Sequence, residues 1–261
     1  MILRLLLPAA DRPGPDAPFA WTLATAQGAV LREGVSSLAE APRSDAVEAV
    51  LPASRVLFAR LKLPRVNAAT IRELLPFAVE DRLLADPSQV HAVPGATDGA
   101  GETLVAVVDR AWFSHVLALL ARAGRRPSRA VCESALLATA RGEWHAVLCP
   151  DRAFLAADDG QATAFDPPAG REPPLALRIA LDEAAARGHR PGRLRVHVAA
   201  GAAAPDAGHW QERCALPVTV SEAKGLLAGA VAPGAIDLLH GDFAPRPASL
   251  TSLRVPRLAA G

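Results

Sequence analysis

Residues 145–165, HAVLCPDRAFLAADDGQATAF, read as three short strands joined by tight turns. HAVLC, AFLAA and QATAF are apolar runs of strand length, and Asp159-Gly160 between the last two is a dipeptide favoured in compact hairpins because it tolerates positive φ. Downstream, Pro174 to Gly188 carries Leu177, Leu181 and Ala184 or Ala185 at helical spacing, with Gly188 as the stop. A strand over 194–199, a helix around His209 to Cys214, a strand over 217–220 and a helix over 222–228 complete this half.

The opening of the chain has the same start. The runs Ile2 to Leu7, Phe19 to Ala24 and Ala29 to Leu31 are separated by Pro, Gly, Asp or Gln and read as a meander. The spacing predicts a helix over 36–50, interrupted near Pro42, with Asp45 as a cap before Val47 and Val50. Two βββαβα-like lobes without obvious sequence identity suggest an α/β protein of duplicated ribonuclease-H-like, or actin-like, architecture. Between them lie a strand from Val56 to Leu63, a helix from Asn67, a strand from Leu104 to Val108 and a helix from Trp112 to Ala123 ending at Gly124, which read as an α/β subdomain inserted into the first lobe. The expected division is 1–52 plus 126–141 for the first lobe, 53–125 for the insertion, 142–245 for the second lobe and 246–261 for a basic tail.

Composition narrows the function. With 261 residues, 51% of them hydrophobic and 21% charged, the chain can bury a sizeable core. Its 28 Lys+Arg against 27 Asp+Glu give no global field of the kind that gathers nucleic acid or anionic lipid. Cys132, Cys149 and Cys214 form no CxxC pair, which argues against a zinc knuckle or a stapled secreted fold and for a reducing compartment. No window has the roughly 18 uninterrupted apolar residues of a membrane span. The tail after Asp242 carries Arg246, Arg254 and Arg257 and no acid, the bias of a cytoplasmic flank beside a span.

Catalytic patterns are absent. Actin-like ATPases cradle phosphates with an Asp-x-Gly turn in each lobe, because glycine lets backbone N–H groups approach the anion. Here the matching turns are Ala9-Ala10-Asp11-Arg12-Pro13 and Cys149-Pro150-Asp151-Arg152, with proline and without glycine. Gly201, after LRVHVAA, reads as a strand-ending turn. The seven histidines show no HxxxH or HxH spacing, and His91, His145 and His197 read as strand histidines. Cys132 at a helix start reads as a small buried hydrophobe. The expectation is no hydrolysis, no cofactor and no metal.

In residues 51–93, LPASRVLFARLKLPRVNAATIRELLPFAVEDRLLADPSQVHAV, the helix capped by Asn67 has two apolar sides. Ile71, Leu74, Leu75, Ala78 and Val79 stack on the expected core face. Glu73, Phe77, Glu80 and Leu84 fall on the opposite side, and with Asp81 they are the candidate partner-binding residues. Pro76 is expected to kink or split the helix.

This stretch, with VVDRAWFSHVLALLARAG (residues 107–124) and IDLLHGDFAP (residues 236–245), resembles the cytoplasmic domain of the type II secretion system protein L family. The resemblance implies an actin-like fold without ATPase activity that recruits the secretion ATPase through that enzyme's N-terminal domain. It also implies a transmembrane helix and a periplasmic domain pairing with protein M, both outside this chain, and a place at the cytoplasmic face of the bacterial inner membrane. Homodimerisation stays open. The alternatives are a divergent actin-like kinase and a pilus-assembly type of adaptor that binds nucleotide and a partner peptide.

Overall fold

The computed structural model describes residues 1–245 apart from 26, 65, 84 and 85. Its first sheet runs β3 (Val30–Ser36), β2 (Phe19–Ala24), β1 (Ile2–Leu6), β4 (Ala46–Leu51) and β8 (Arg129–Cys132). The meander strands are antiparallel, whereas β1, β4 and β8 are parallel. A second sheet repeats both order and sense with β11 (Ala162–Phe165), β10 (Ala153–Ala156), β9 (Glu143–Leu148), β12 (Arg193–Val198) and β13 (Val218–Glu222). Gly160 makes the predicted hairpin at φ 84°.

The expected helix over 36–50 is not formed. Residues 37–45 are turns and irregular chain, and AVEAVL is β4, an interior strand between β1 and β8, with Ala49, Val50 and Leu51 wholly buried. A strand covered on both faces has no period-2 alternation, so its apolar run mimics a buried helix. The helix expected over 222–228 is likewise replaced: β13 continues to Glu222, and the span ends in the 3-10 turn Leu226–Ala228.

Helices α3 (Leu175–Ala186) and α4 (Ala207–Cys214) cover one face of the second sheet. Leu177, Leu181, Ala184 and Trp210 pack there with Trp144, Ala146, Leu194 and Val196. Each large apolar side chain so buried contributes about 1.5–3 kcal/mol.

A third, antiparallel sheet orders β5 (Leu57–Leu61), β7 (Thr103–Asp109) and β6 (Val90–Thr97). On one side lies α1 (Ala68–Ala78), whose Leu75, together with Val79 just past the helix end, packs on Ala59, Val90, Ala92, Val105 and Val107. On the other, α2 (Arg110–Arg122) contributes Phe113, Val116 and Leu120 to the main core.

Residues 223–245 form a strap over these sheets. Arg4 holds the carbonyls of Leu227 and Gly229, Ala232 donates to Ala135, and Leu238 donates to the carbonyl of Ala130. Asp237 caps the backbone N–H groups of Ala130 and Leu239. The strap ends on the third sheet, where the Leu238 carbonyl meets His91 Nε2 at 2.9 Å and Phe243 packs against His91 and Phe113. A Cβ on Gly229 would stand 1.9 Å from the Leu136 carbonyl oxygen. Gly229→Ala is therefore expected to destabilise the chain by about 3 kcal/mol, read as a lower urea midpoint; an unchanged midpoint would show that the strap is not under this constraint.

Candidate functional site

Two regions bear on function: the cleft between the lobes and the outer side of α1. In the cleft, the first-lobe turn is held by its carbonyl oxygens. Arg55 donates to Ala9 and pairs with Asp11 at 2.6 Å, while its guanidinium lies 5.3 Å from the Trp112 ring centroid. Trp112 Nε1 donates to Ala10 at 3.0 Å, and His115 Nε2 lies 2.9 Å from the Pro13 carbonyl oxygen.

Across the cleft, the Cys149–Arg152 turn is closed by the Cys149 N–H donating to the Arg152 carbonyl. The Arg152 guanidinium reaches Glu133 at 3.4 Å, and Glu133 also accepts from the Ala53 N–H at 2.9 Å. Glu133 is buried, and that burial pushes its carboxyl above its ordinary value against the pull of Arg152. Gly201 packs against the Pro150 ring. In both turns the polar groups are taken up within the protein: the carbonyls of Ala9, Ala10 and Pro13 by Arg55, Trp112 and His115, and the Glu133 carboxylate by Arg152 and the Ala53 N–H.

Cys132, at the start of the 3-10 turn Glu133–Leu136, is buried and its thiol is pushed up to about 12 by desolvation. A thiol so far from ionisation is no nucleophile at neutral pH. The pairing of Glu133 with Arg152 was not legible in the sequence, since the two residues are linked only by the docking of the lobes. Glu133→Ala would leave the Ala53 N–H without its partner and Arg152 with Asp151 alone, so a loss of about 2–3 kcal/mol is expected in chemical denaturation. A neutral result would mean that water replaces the carboxylate.

The helix α1 is set by its cap and two anchors. The Asn67 side chain accepts from the Thr70 N–H at 2.9 Å, and the helix runs unbroken through Pro76 to Ala78, so the expected split does not occur. Leu75 and Val79 are fully buried, and Ile71 is half-buried against the same cluster. Leu74 and Ala78, assigned to the core from their spacing, are exposed, because the narrow three-stranded sheet covers only the Leu75–Val79 line. Phe77 is 65% exposed and Leu74 43%.

Of the candidate partner residues, Glu73 and Phe77 lie on α1, while Glu80 and Asp81 lie on the 3-10 turn Glu80–Arg82; all four are exposed. Leu84 lies outside the described residues, as do Arg246, Arg254 and Arg257 of the tail. Behind the insertion, a cavity of about 1220 Å³ opens between the third sheet, the β10–β11 hairpin and the strap. Phe58, Leu104 and Ile236 line it, together with Arg60, Lys62 and Arg187. Among the described residues, no helix is long and apolar enough to cross a membrane.

Comparison with known proteins gives a family match: the family described as type II secretion system (T2SS), protein L matches residues 22–246. The type II secretion system protein L of Pseudomonas aeruginosa is 37% identical over 78 residues, which is 30% of this chain and only 20% of that relative's length. Among solved structures, the cytoplasmic domain of EpsL, an inner-membrane component of the type II secretion system of Vibrio cholerae, matches with a TM-score of 0.71 at 17% identity, over 93% of this chain and 99% of that one. The PilM–PilN type IV pilus biogenesis complex gives a TM-score of 0.62 at 13% identity, over 89% of this chain and 90% of that one. With a Bacteroides thetaiotaomicron protein of actin-like ATPase fold, which matches at a TM-score of 0.50 and 10% identity over 87% and 94% of the two chains, these structures establish the actin-like fold.

Proposed function

Because the chain belongs to the type II secretion system protein L family, we propose that it is a non-catalytic platform domain at the cytoplasmic face of the bacterial inner membrane, docking the N-terminal domain of the secretion ATPase through the exposed side of α1. The observation that carries this reading is Phe77, a large aromatic left 65% exposed on a helix whose opposite side is anchored by Leu75 and Val79. An exposed aromatic beside Leu74, with Glu73, Glu80 and Asp81 around it, has the make-up of an interface anchor with an acidic rim. The matching partner surface is an apolar socket edged by Lys or Arg. Connection to protein M and anchorage in the membrane belong to regions outside this chain.

The turns that match the phosphate-binding turns of actin-like ATPases carry proline and no glycine, and their carbonyls at Ala9, Ala10 and Pro13 are bound by Arg55, Trp112 and His115, which supports a domain without ATP hydrolysis. Millimolar ATP with magnesium is expected to leave the thermal midpoint unchanged, since only a ligand that binds the native state raises it; an upward shift of several degrees would contradict this part of the reading.

For docking, Phe77→Ala is expected to weaken binding of the ATPase N-terminal domain about 30-fold, as the loss of a central anchor costs about 2 kcal/mol. Glu80→Lys should weaken it further, with unchanged circular dichroism in both variants. Unchanged affinity would move the interface elsewhere.

A second reading is an adaptor that holds a partner peptide. The 1220 Å³ cavity and the likeness to the PilM–PilN complex favour it. Lys62→Glu, on the cavity wall, would then impair partner binding while Phe77→Ala would not.

A further inference from the structure

One face of the second sheet carries a hydrogen-bonded chain that crosses three parallel strands. His145 Nε2 lies 3.0 Å from Glu143 Oε1, His197 Nε2 lies 3.0 Å from His145 Nδ1, and Ser221 Oγ lies 3.2 Å from His197 Nδ1. Parallel register creates the cluster: His145 is opposite Arg195, so His197 is its diagonal neighbour on the same face, and His197 is opposite Ser221.

Glu143 fixes the proton positions. It is buried, yet Arg195 at 2.9 Å and Arg193 at 3.0 Å surround it with positive charge. An ionised carboxylate only accepts hydrogen bonds, so the proton of neutral His145 sits on Nε2 and its Nδ1 lone pair faces His197. The Ser221 hydroxyl can either donate to His197 Nδ1 or accept from it. When it accepts, His197 Nε2 also presents a lone pair, and two imidazole nitrogens converge 3.0 Å apart.

Two nitrogens on one tetrahedral ion with bonds of about 2.0–2.1 Å stand about 3.3 Å apart, so binding requires the rings to separate by about 0.3 Å and to tilt until both lone pairs meet beside the N–N line. The outer nitrogens already have what metal-bound histidines usually have: a carboxylate behind one and a hydroxyl behind the other. His197 is half-buried and Ser221 exposed, so an ion and its waters can enter from that side. Among the described residues no group of three ligating side chains converges, which leaves the remaining coordination positions to water.

We propose that His145 and His197 together bind a divalent transition-metal ion of the class that prefers imidazole, such as zinc, nickel or copper, with Glu143 and Ser221 orienting the two rings. The bound ion ties β9 to β12 inside the second lobe, and the site is independent of the docking face on α1.

The test uses the whole chain. Zn²⁺ titration is expected to raise the thermal midpoint of the unaltered protein progressively with concentration, and one equivalent of Cu²⁺ should give an electron paramagnetic resonance spectrum with two equatorial nitrogens. His197→Gln, at the half-buried end and expected to fold, should bind Zn²⁺ at least tenfold more weakly and lose the two-nitrogen spectrum. His145→Gln should do the same where its circular dichroism is native. No Zn²⁺ response in the unaltered chain overturns the proposal, and so does a response that survives intact in His197→Gln.

Discussion

Arg4 lies inside the molecule with 6% of its surface exposed, on the outer face of the first sheet, where a guanidinium has to find acceptors without water. One is Glu48, 2.7 Å away on the neighbouring strand. The others are main-chain carbonyls of the closing strap, Leu227 at 2.9 Å and Gly229 at 2.7 Å. A buried cation in the first strand is thus satisfied only when the last part of the described chain has folded over it. From that anchor the strap runs past Leu136, continues beside β8 through Asp237 and Leu238, and ends with Phe243 against His91 and Phe113.

This anchoring bears on the proposed docking face. Strand β6 turns His91 toward the strap and Val90 and Ala92 toward α1, so one strand lies between the end of the strap and the helix that exposes Phe77. The two lobes are tied by similar means, with Glu133 of the first accepting from the Ala53 N–H and from Arg152 of the second.

Much of this order was legible in the sequence because turn chemistry and helical spacing are local. Asp159-Gly160, the Asn67 cap, the Leu177–Leu181–Ala184 face and the Gly124 stop all appear in the structure. Strand β4 was misread because burial on both faces erases alternation, whereas β6 was legible only as a strand around His91, its polar end with Pro94 and Gly95 hiding how far it runs. Leu74 and Ala78 satisfied helical periodicity for a core that the small third sheet is too narrow to provide. The Glu133–Arg152 pair and the chain from Glu143 to Ser221 were invisible for a different reason: register between distant segments creates them, and single-sequence spacing carries no register.

Membership of the protein L family and the actin-like fold together give the scaffold, and the exposed line of α1 is the face proposed here to dock the ATPase. Hydrogen–deuterium exchange on the domain bound to the N-terminal domain of the secretion ATPase tests that docking most directly. New protection confined to peptides covering residues 71–81 is the predicted result; protection instead on the exposed edge strand β3 or along the cavity walls, with residues 71–81 unchanged, would contradict it.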